Sequence, residues 1–479
     1  MAVYTALPLE DLESAGLGKE GEKPGTISRK YERHVGLVSA MVLPFGAHVC
    51  YKMTSAVEKY VLENMDIDST QFGVLNSAVS WNSLALVPLA AGFLVDTRPT
   101  RYAAVIFTAV TLVGHLMFSI AATSGDLAWA AAGRAIFGMG ESTVTVVQGA
   151  LCAQWFRSKE QIALAIGLTE MSHNIANWLG KVSIEVGLAW GGWEMTLWFG
   201  VLLCALSFAV AVGYFVFERA AEETAVASSD LIATKSRYRL RDLAGARELS
   251  ALFWLFCLLH FVVSNVEHLF DAVSTDFIKQ KWGIKWTSAA WLSSLNYSLP
   301  ILLSPFVGYL LDVSSHRVPI AAAGCGLMTA GHFILGFLPW SPVAGLLVLS
   351  VAESVLPTIL RASVPLVVPH GVSGVAFGVY DVAENFGKVV GNPLVGYFKD
   401  KTHNYVLDEQ IFVAMSALGI LCCLAIAVVD ARGSNVLGAR AGDYDVAALP
   451  DAEKPEAVVT DSDLRLLTDP DDEREDEDQ

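Results

Sequence analysis

The sequence is short of charge. Charged residues fill 17% of 479 positions, where soluble domains carry about 25%. That shortage excludes a chain built from ordinary soluble domains. Hydrophobic residues reach 53%, and mean hydropathy is +0.47. Cysteine is absent from the polar loops: all seven, Cys50, Cys152, Cys204, Cys257, Cys325, Cys422 and Cys423, lie in apolar stretches. No disulfide framework is expected, and buried thiols then act as small hydrophobes. No Gly-x-x-x-x-Gly-Lys-Ser/Thr loop occurs, which argues against ATP-driven pumping. No Cys/His spacing suggests a metal site, no cofactor motif appears, and nothing groups a nucleophile with a base. An enzyme is not expected. The stretch from Met1 to Lys30 lacks the apolar core of a secretory leader, so the first apolar run is expected to serve as the insertion signal.

What the sequence has is long apolar runs, and runs of about 18 or more read as membrane-spanning helices. Candidates fall at 35–55, 71–95, 102–124, 127–151, 161–189 and 194–217, then at 249–275, 286–311, 318–338, 343–368, 374–398 and 408–430. The expectation is an all-α integral membrane protein with 12 transmembrane helices in two pseudo-repeated six-helix halves. Residues 1–34 read as an N-terminal arm, 35–217 as the first half, 218–248 as a basic connector, 249–430 as the second half, and 431–479 as an acidic tail. Much of the net charge of −17 sits in that tail, which ends Asp469-Pro470-Asp471-Asp472-Glu473-Arg474-Glu475-Asp476-Glu477-Asp478-Gln479. A block of like charge is expected to be disordered.

Basic residues set the orientation. The arm carries Lys19, Lys23, Arg29, Lys30 and Arg33; the loops after the second and fourth spans carry Arg98, Arg101, Arg157 and Lys159; the connector carries Arg219, Lys235, Arg237, Arg239, Arg241 and Arg247. These share one side, read as the cytosol, which places both termini there. Lys279, Lys281 and Lys285 dissent on the other face.

The halves repeat. Gly92-x-x-x-Asp96 closes the second span, and Gly308-x-x-x-Asp312 closes the eighth. Glu141-Ser142 returns as Glu353-Ser354, and Gly167, Glu170, Asn174 and Gly180 return as Gly378, Asp381, Asn385 and Gly391. Three helix pairs at nearly one offset argue for parallel repeats. In each loop the glycine permits close helix approach, and the aspartate can accept hydrogen bonds from amides at a neighbouring helix N-terminus. Arg98 and Arg101, with Arg317 in the second copy, can pair with carboxylates across the seam. Gly92, Asp96, Arg98, Arg101, Gly308, Asp312 and Arg317 are therefore gating candidates. The alternative is that they are ordinary interfacial caps.

Polar stripes mark the fifth and eleventh spans. Glu170, His173, Asn177 and Lys181 share one helical face, as do Asp381, Glu384 or Asn385, Lys388 and Asn392. Ionisable groups are costly against lipid, so both stripes are expected to face protein or water. Substrate-binding candidates are Glu141, His173, Asn174, Lys181, Asp381, Glu384 and Lys388. The alternative is sealed ion pairs: Lys181 with Glu170 or Glu185, Lys388 with Glu384, and Glu141 with Arg361 or Lys388. His48, Lys52, Gln148, His260, Asn265, Glu267, His268, Asp271, Asn296, Tyr297 and Glu353 complete the intramembrane polar inventory.

Phe45-Gly46 with Cys50-Tyr51, Ser80-Trp81, Gly92-Phe93-Leu94 with Asp96, Gly133-Arg134, Phe137-Gly138, Glu141-Ser142, Gln148, Trp155-Phe156, Lys159-Glu160 and Gly167-Leu168 carry a further likeness. So do Ser304-Pro305, Gly308, Asp312, Val367-Val368-Pro369-His370, Gly374, Ala376, Gly378, Asn385 and Gly387. Through these residues the chain resembles the lysosomal dipeptide uniporter branch of the major facilitator superfamily. The resemblance implies the major facilitator fold and export of dipeptides, cationic ones among them, from an acidic lumen by facilitated diffusion. It implies a lysosomal or other acidic endomembrane, with the plasma membrane as alternative, and an accessory single-span lysosomal glycoprotein. The branch's acidic cavity residue falls on Glu141. Its basic residue in the fifth span falls on Asn174, and its acidic residue after Cys-Tyr falls on Lys52, so two cavity charges differ; His173 or Lys181 is the candidate replacement cation. In the tail, Asp463, Leu466 and Leu467 resemble an acidic dileucine sorting signal. Expected partners are a small-molecule substrate, the lipid bilayer and a second copy of the chain in a homodimer; nucleic acid is not among them. The rival readings are a proton-coupled carrier of amino acids or organic anions, and a non-transporting membrane scaffold or receptor.

Overall fold

The computed structural model describes residues 29–67, 69–81, 87–156, 161–228, 249–314, 316–368, 373–402, 404–433 and 437. These belong to one unit that runs to residue 444. The tail with Asp463, Leu466 and Leu467, and most of the basic connector, lie outside the described residues.

Regular structure among the described residues is helical throughout. The helices are α1 (Arg29–Val42), α2 (Phe45–Ala56), α3 (Glu58–Met65), α4 (Ser69–Ser77), α5 (Val87–Thr97), α6 (Thr100–Ser124), α7 (Leu127–Phe156), α8 (Ile162–Trp190) and α9 (Trp193–Ser228). They continue with α10 (Ala251–Trp282), α11 (Trp286–Ser294), α12 (Ser298–Val313), α13 (Arg317–Phe337), α14 (Pro342–Val367), α15 (Ser373–Thr402) and α16 (Val406–Arg432). Their ends follow local chemistry. The Ser250 hydroxyl caps α10 by accepting from the Phe253 amide, and Gly283 closes that helix at φ +66°, a conformation that glycine adopts without cost. Ser341 caps α14, with Pro342 at its first position, where proline has no amide to waste.

Eight of the described helical stretches are long and apolar enough to cross a membrane. The surface is inverted relative to a water-soluble protein: Leu302 is 73% exposed and Leu202 64%, while Glu170 is 3% exposed and Lys52 4%. Apolar side chains outside and polar groups inside is the arrangement a bilayer selects.

Three breaks depart from the expected continuous spans. Pro44 divides α1 from α2, because proline supplies no amide to continue the ladder. Single 3₁₀ turns interrupt the second and eighth apolar runs at Ala78–Ser80 and Leu295–Tyr297. The two turns are separated by almost the same interval as the two Gly-x-x-x-Asp loops, so the repeat extends to backbone irregularities. Such mid-helix turns often mark hinges.

The packing between the first and second runs of helices is most extensive where α8 runs along α12 and α15 along α5. Both seams depend on a glycine. A Cβ on Gly92 would overlap the Gly374 carbonyl, and a Cβ on Gly308 would overlap the Ala163 carbonyl.

Candidate functional site

Six helices enclose a polar cavity that leaves about 50 Å³ for the centres of water-sized molecules. α2 contributes His48, Tyr51 and Lys52; α7 contributes Glu141, Ser142 and Thr145; α8 contributes Glu170, His173 and Asn177. α10 supplies His260, Val263, Ser264, Glu267 and His268; α14 supplies Glu353, Pro357, Leu360 and Arg361; α15 supplies Tyr380, Asp381, Glu384, Asn385 and Lys388. Each set recurs at helical spacing, so each helix turns one face inward.

Of the substrate-binding candidates, Glu141, His173, Asp381, Glu384 and Lys388 line this cavity. Asn174 and Lys181 do not. Asn174 turns away and donates to the Glu170 carbonyl at 2.9 Å. The Lys181 ammonium lies one turn beyond the cavity, 2.6 Å from Asp271, rather than beside Glu170 or Glu185. Glu185 instead accepts from the Trp291 indole at 2.9 Å.

Contacts inside the cavity differ in tightness. Glu384 is the hub of one cluster, with Lys388 at 2.6 Å, His268 at 2.9 Å and His260 at 3.1 Å. Glu141 has a looser neighbour, His48 Nδ1 at 3.9 Å, and so pairs with neither Arg361 nor Lys388. The His48 ring stacks on His173 at 3.8 Å, and His260 stacks on Tyr380 at 3.3 Å. His48 and His260 are separated by the same interval as Glu141 and Glu353. Each touches the helix bearing the polar stripe of its own half. Sequence reasoning missed this pair, although the matching offset carried the signal. Arg361 lies 3.6 Å from Glu170 and 4.0 Å from Asp381. Tyr380, Ser142 and Thr145 were also missed, since a tyrosine or hydroxyl in an apolar run is unremarkable until the fold turns it inward.

The gating candidates gather at one end of the bundle. Asp96 accepts hydrogen bonds from the Gly374 amide at 2.8 Å and the Val375 amide at 2.7 Å, in the first turn of α15. Asp312 accepts from Ala163 at 3.0 Å and Leu164 at 2.8 Å, in the first turn of α8. Two of the arginines contact neighbouring helices of their own run. Arg101 meets Glu218 on α9 of its own half, with amide to carboxylate at 3.0 Å and guanidinium at 3.7 Å. Arg317 is buried and donates to the Leu311 carbonyl at 3.2 Å. Arg98 is exposed.

Comparison with known proteins fits this architecture. Residues 40–273 and 256–443 each match the sequence model of the Major Facilitator Superfamily. The chain belongs to that superfamily. It is thus a multi-pass membrane transporter of a small-molecule substrate and not an enzyme. It is similar to the "Lysosomal dipeptide transporter MFSD1" of Mus musculus, 27% identical over 422 residues, 85% of this chain and 89% of that protein. The Homo sapiens protein of the same name is 25% identical over the same shares. Among solved structures, the human organic anion transporter MFSD10 (TETRAN) aligns at a TM-score of 0.60 and 13% identity, over 82% of this chain and 99% of that one. The transporter FucP in the outward conformation aligns at 0.60 and 14%, over 81% and 98%. At such identity these two speak for the fold alone.

Proposed function

We propose that this major facilitator transporter is a dipeptide uniporter, carrying dipeptides, cationic ones among them, from the lumen of lysosome-like organelles to the cytosol by alternating access. One observation carries the reading: the cavity lining holds six carboxylates, Glu141, Glu170, Glu267, Glu353, Asp381 and Glu384, against three fixed cations, Lys52, Arg361 and Lys388. Both signs of charge suit a zwitterion, and the excess of acid favours one with an extra positive charge. The MFSD1 relatives, named as lysosomal dipeptide transporters over 85% of this chain, support the substrate class and the organelle. The two six-helix halves rock about the cavity, with both termini in the cytosol and a single-span glycoprotein or a second copy alongside. Glu141 receives the substrate ammonium. Its carboxylate lacks a lysine or arginine within 4 Å among the described residues.

A second reading rests on the histidines. His48, His173, His260 and His268 all line the cavity, and an imidazole can take up and release a proton; a proton-coupled carrier would use them. Uptake of a labelled Lys-containing dipeptide into proteoliposomes, with and without a pH gradient, separates the two. Saturable uptake without a gradient, reduced at least about tenfold in Glu141→Gln by loss of one charged contact, is the expected result. Uptake that requires the gradient would favour proton coupling, and absence of dipeptide uptake would remove the substrate assignment.

A further inference from the structure

The proposal that follows rests on the dipeptide reading and deepens it by naming the residue that receives the carboxylate end. The three fixed cations of the cavity are held very differently. Lys388 sits 2.6 Å from Glu384, and Lys52 sits 2.5 Å from Asp271. Both distances are those of closed charge-assisted bonds. Arg361 is looser. Its guanidinium stands 3.6 Å from Glu170 and 4.0 Å from Asp381, and its hydrogen bond to the Gln148 amide oxygen is 3.4 Å long. Asp381 meanwhile takes a 2.5 Å bond from the Thr145 hydroxyl. A guanidinium offers five donors in a planar fork that matches a carboxylate, and most of this fork faces acids too distant to close on it.

Geometry sets the ligand. Arg361 touches Gln148 on α7, and Glu141 lies seven residues earlier on the same face of that helix. At 1.5 Å per residue the two levels are about 10 Å apart. Two extended residues span about 7 Å, and a bond of about 2.8 Å at each end brings the reach to about 12–13 Å, within the play of the two side chains. Among the described residues the buried Tyr380 hydroxyl has no hydrogen-bond partner, and it belongs to the same lining, which adds a donor. We infer that Arg361 is the carboxylate receptor of the transported dipeptide, exchanging its loose contacts with Glu170 and Asp381 for a bidentate bond to the substrate while Glu141 holds the ammonium. Lys181 cannot serve in this way, because it is engaged by Asp271 beyond the cavity.

The test is counterflow in proteoliposomes loaded with a Lys-containing dipeptide, using the unlabelled free acid or its C-terminal amide as competitor. Wild type is expected to prefer the acid by at least about tenfold, the factor supplied by one bond between charged groups. Arg361→Lys keeps the charge but loses the fork, and is expected to shrink that preference while leaving competition by the amide unchanged. Arg361→Gln alone leaves Glu170 and Asp381 without their cation and risks misfolding, so the neutralised pair Glu170→Gln with Arg361→Gln serves as the second variant. It is expected to lose the preference altogether. Equal competition by acid and amide in wild type, or an intact preference in both variants, would overturn the role of Arg361 and leave dipeptide transport standing. Absence of dipeptide counterflow in wild type would overturn the transport reading, and this inference with it.

Discussion

The first and second runs of helices are joined by different physics at two levels of the bundle. At the Gly-x-x-x-Asp end each seam is a carboxylate on backbone amides: Asp96 on the first turn of α15 and Asp312 on the first turn of α8. The positive end of the helix dipole favours the anion there, and the glycines let the backbones meet. At the other level the joining contacts run between side chains. Asp271 on α10 takes Lys52 of α2 at 2.5 Å and Lys181 of α8 at 2.6 Å, and also accepts from the Tyr297 hydroxyl. Measured along α8 from Ala163 to Lys181, the two closures are about 27 Å apart. Both are made in the same structure. Backbone clasps depend on helix position and are duplicated by the repeat, whereas the ion cluster depends on one residue of the second half gripping two of the first.

That contrast predicts the largest effect at Asp271. Asp271→Ala leaves two buried ammonium groups, Lys52 and Lys181, without their common anion. Breaking a buried pair from one side costs about 3–5 kcal/mol. A large loss of thermal stability in detergent is expected, together with faster labelling of a cysteine placed beside Lys52. Lys181→Met should cost far less, since Asp271 keeps Lys52; equal losses in the two variants would show that the cluster does not hang on the aspartate. The clasps come next. Gly308→Ala places a methyl group against the Ala163 carbonyl, and overpacking of this kind costs about 1–3 kcal/mol. Here the expected sign is specific: greater accessibility at the Gly-x-x-x-Asp end and none at the other, read by cysteine labelling at the two ends. Unchanged labelling at both would break the comparison.

The same contrast explains what the sequence disclosed. The clasps could be read because glycine and aspartate lie four residues apart and close both the second and the eighth span; the same spacing from Gly396 to Asp400 has no counterpart in the other half. The stripes on α8 and α15 were legible from helical spacing alone, and so was the Lys388–Glu384 pair, an i,i+4 contact of the kind that helix geometry brings together. Contacts made between distant helices were not legible. Lys181 had plausible acids within its own helix, Glu170 and Glu185, yet it meets Asp271, 90 residues away. Glu141 had Arg361 and Lys388 as candidates and instead faces His48, because side-chain direction around the axis decides among them. The 3₁₀ turns at Ala78–Ser80 and Leu295–Tyr297 carry no proline, and only the matching offset hints at them. Pro44 is a visible signal for the break after α1, masked by the apolar run that continues through it.

The smallest change is the sharpest probe of what the clasp uses. Asp96→Asn keeps the shape and one acceptor oxygen but removes the charge and one of the two bonds to Gly374 and Val375. A bond to a charged group contributes about 1.5–3 kcal/mol against about 1 for a neutral one, so losing one bond and weakening the other is expected to cost about 2–5 kcal/mol. Because Asp312 still holds the second seam, the bundle end should stay closed, with a modest rise in cysteine accessibility near Thr97. Asp96→Asn combined with Asp312→Asn removes both seams, and the two costs should add, since the sites share no partner. A double variant no more accessible than either single one would show that the repeat supplies two copies of the motif while only one carries the closure.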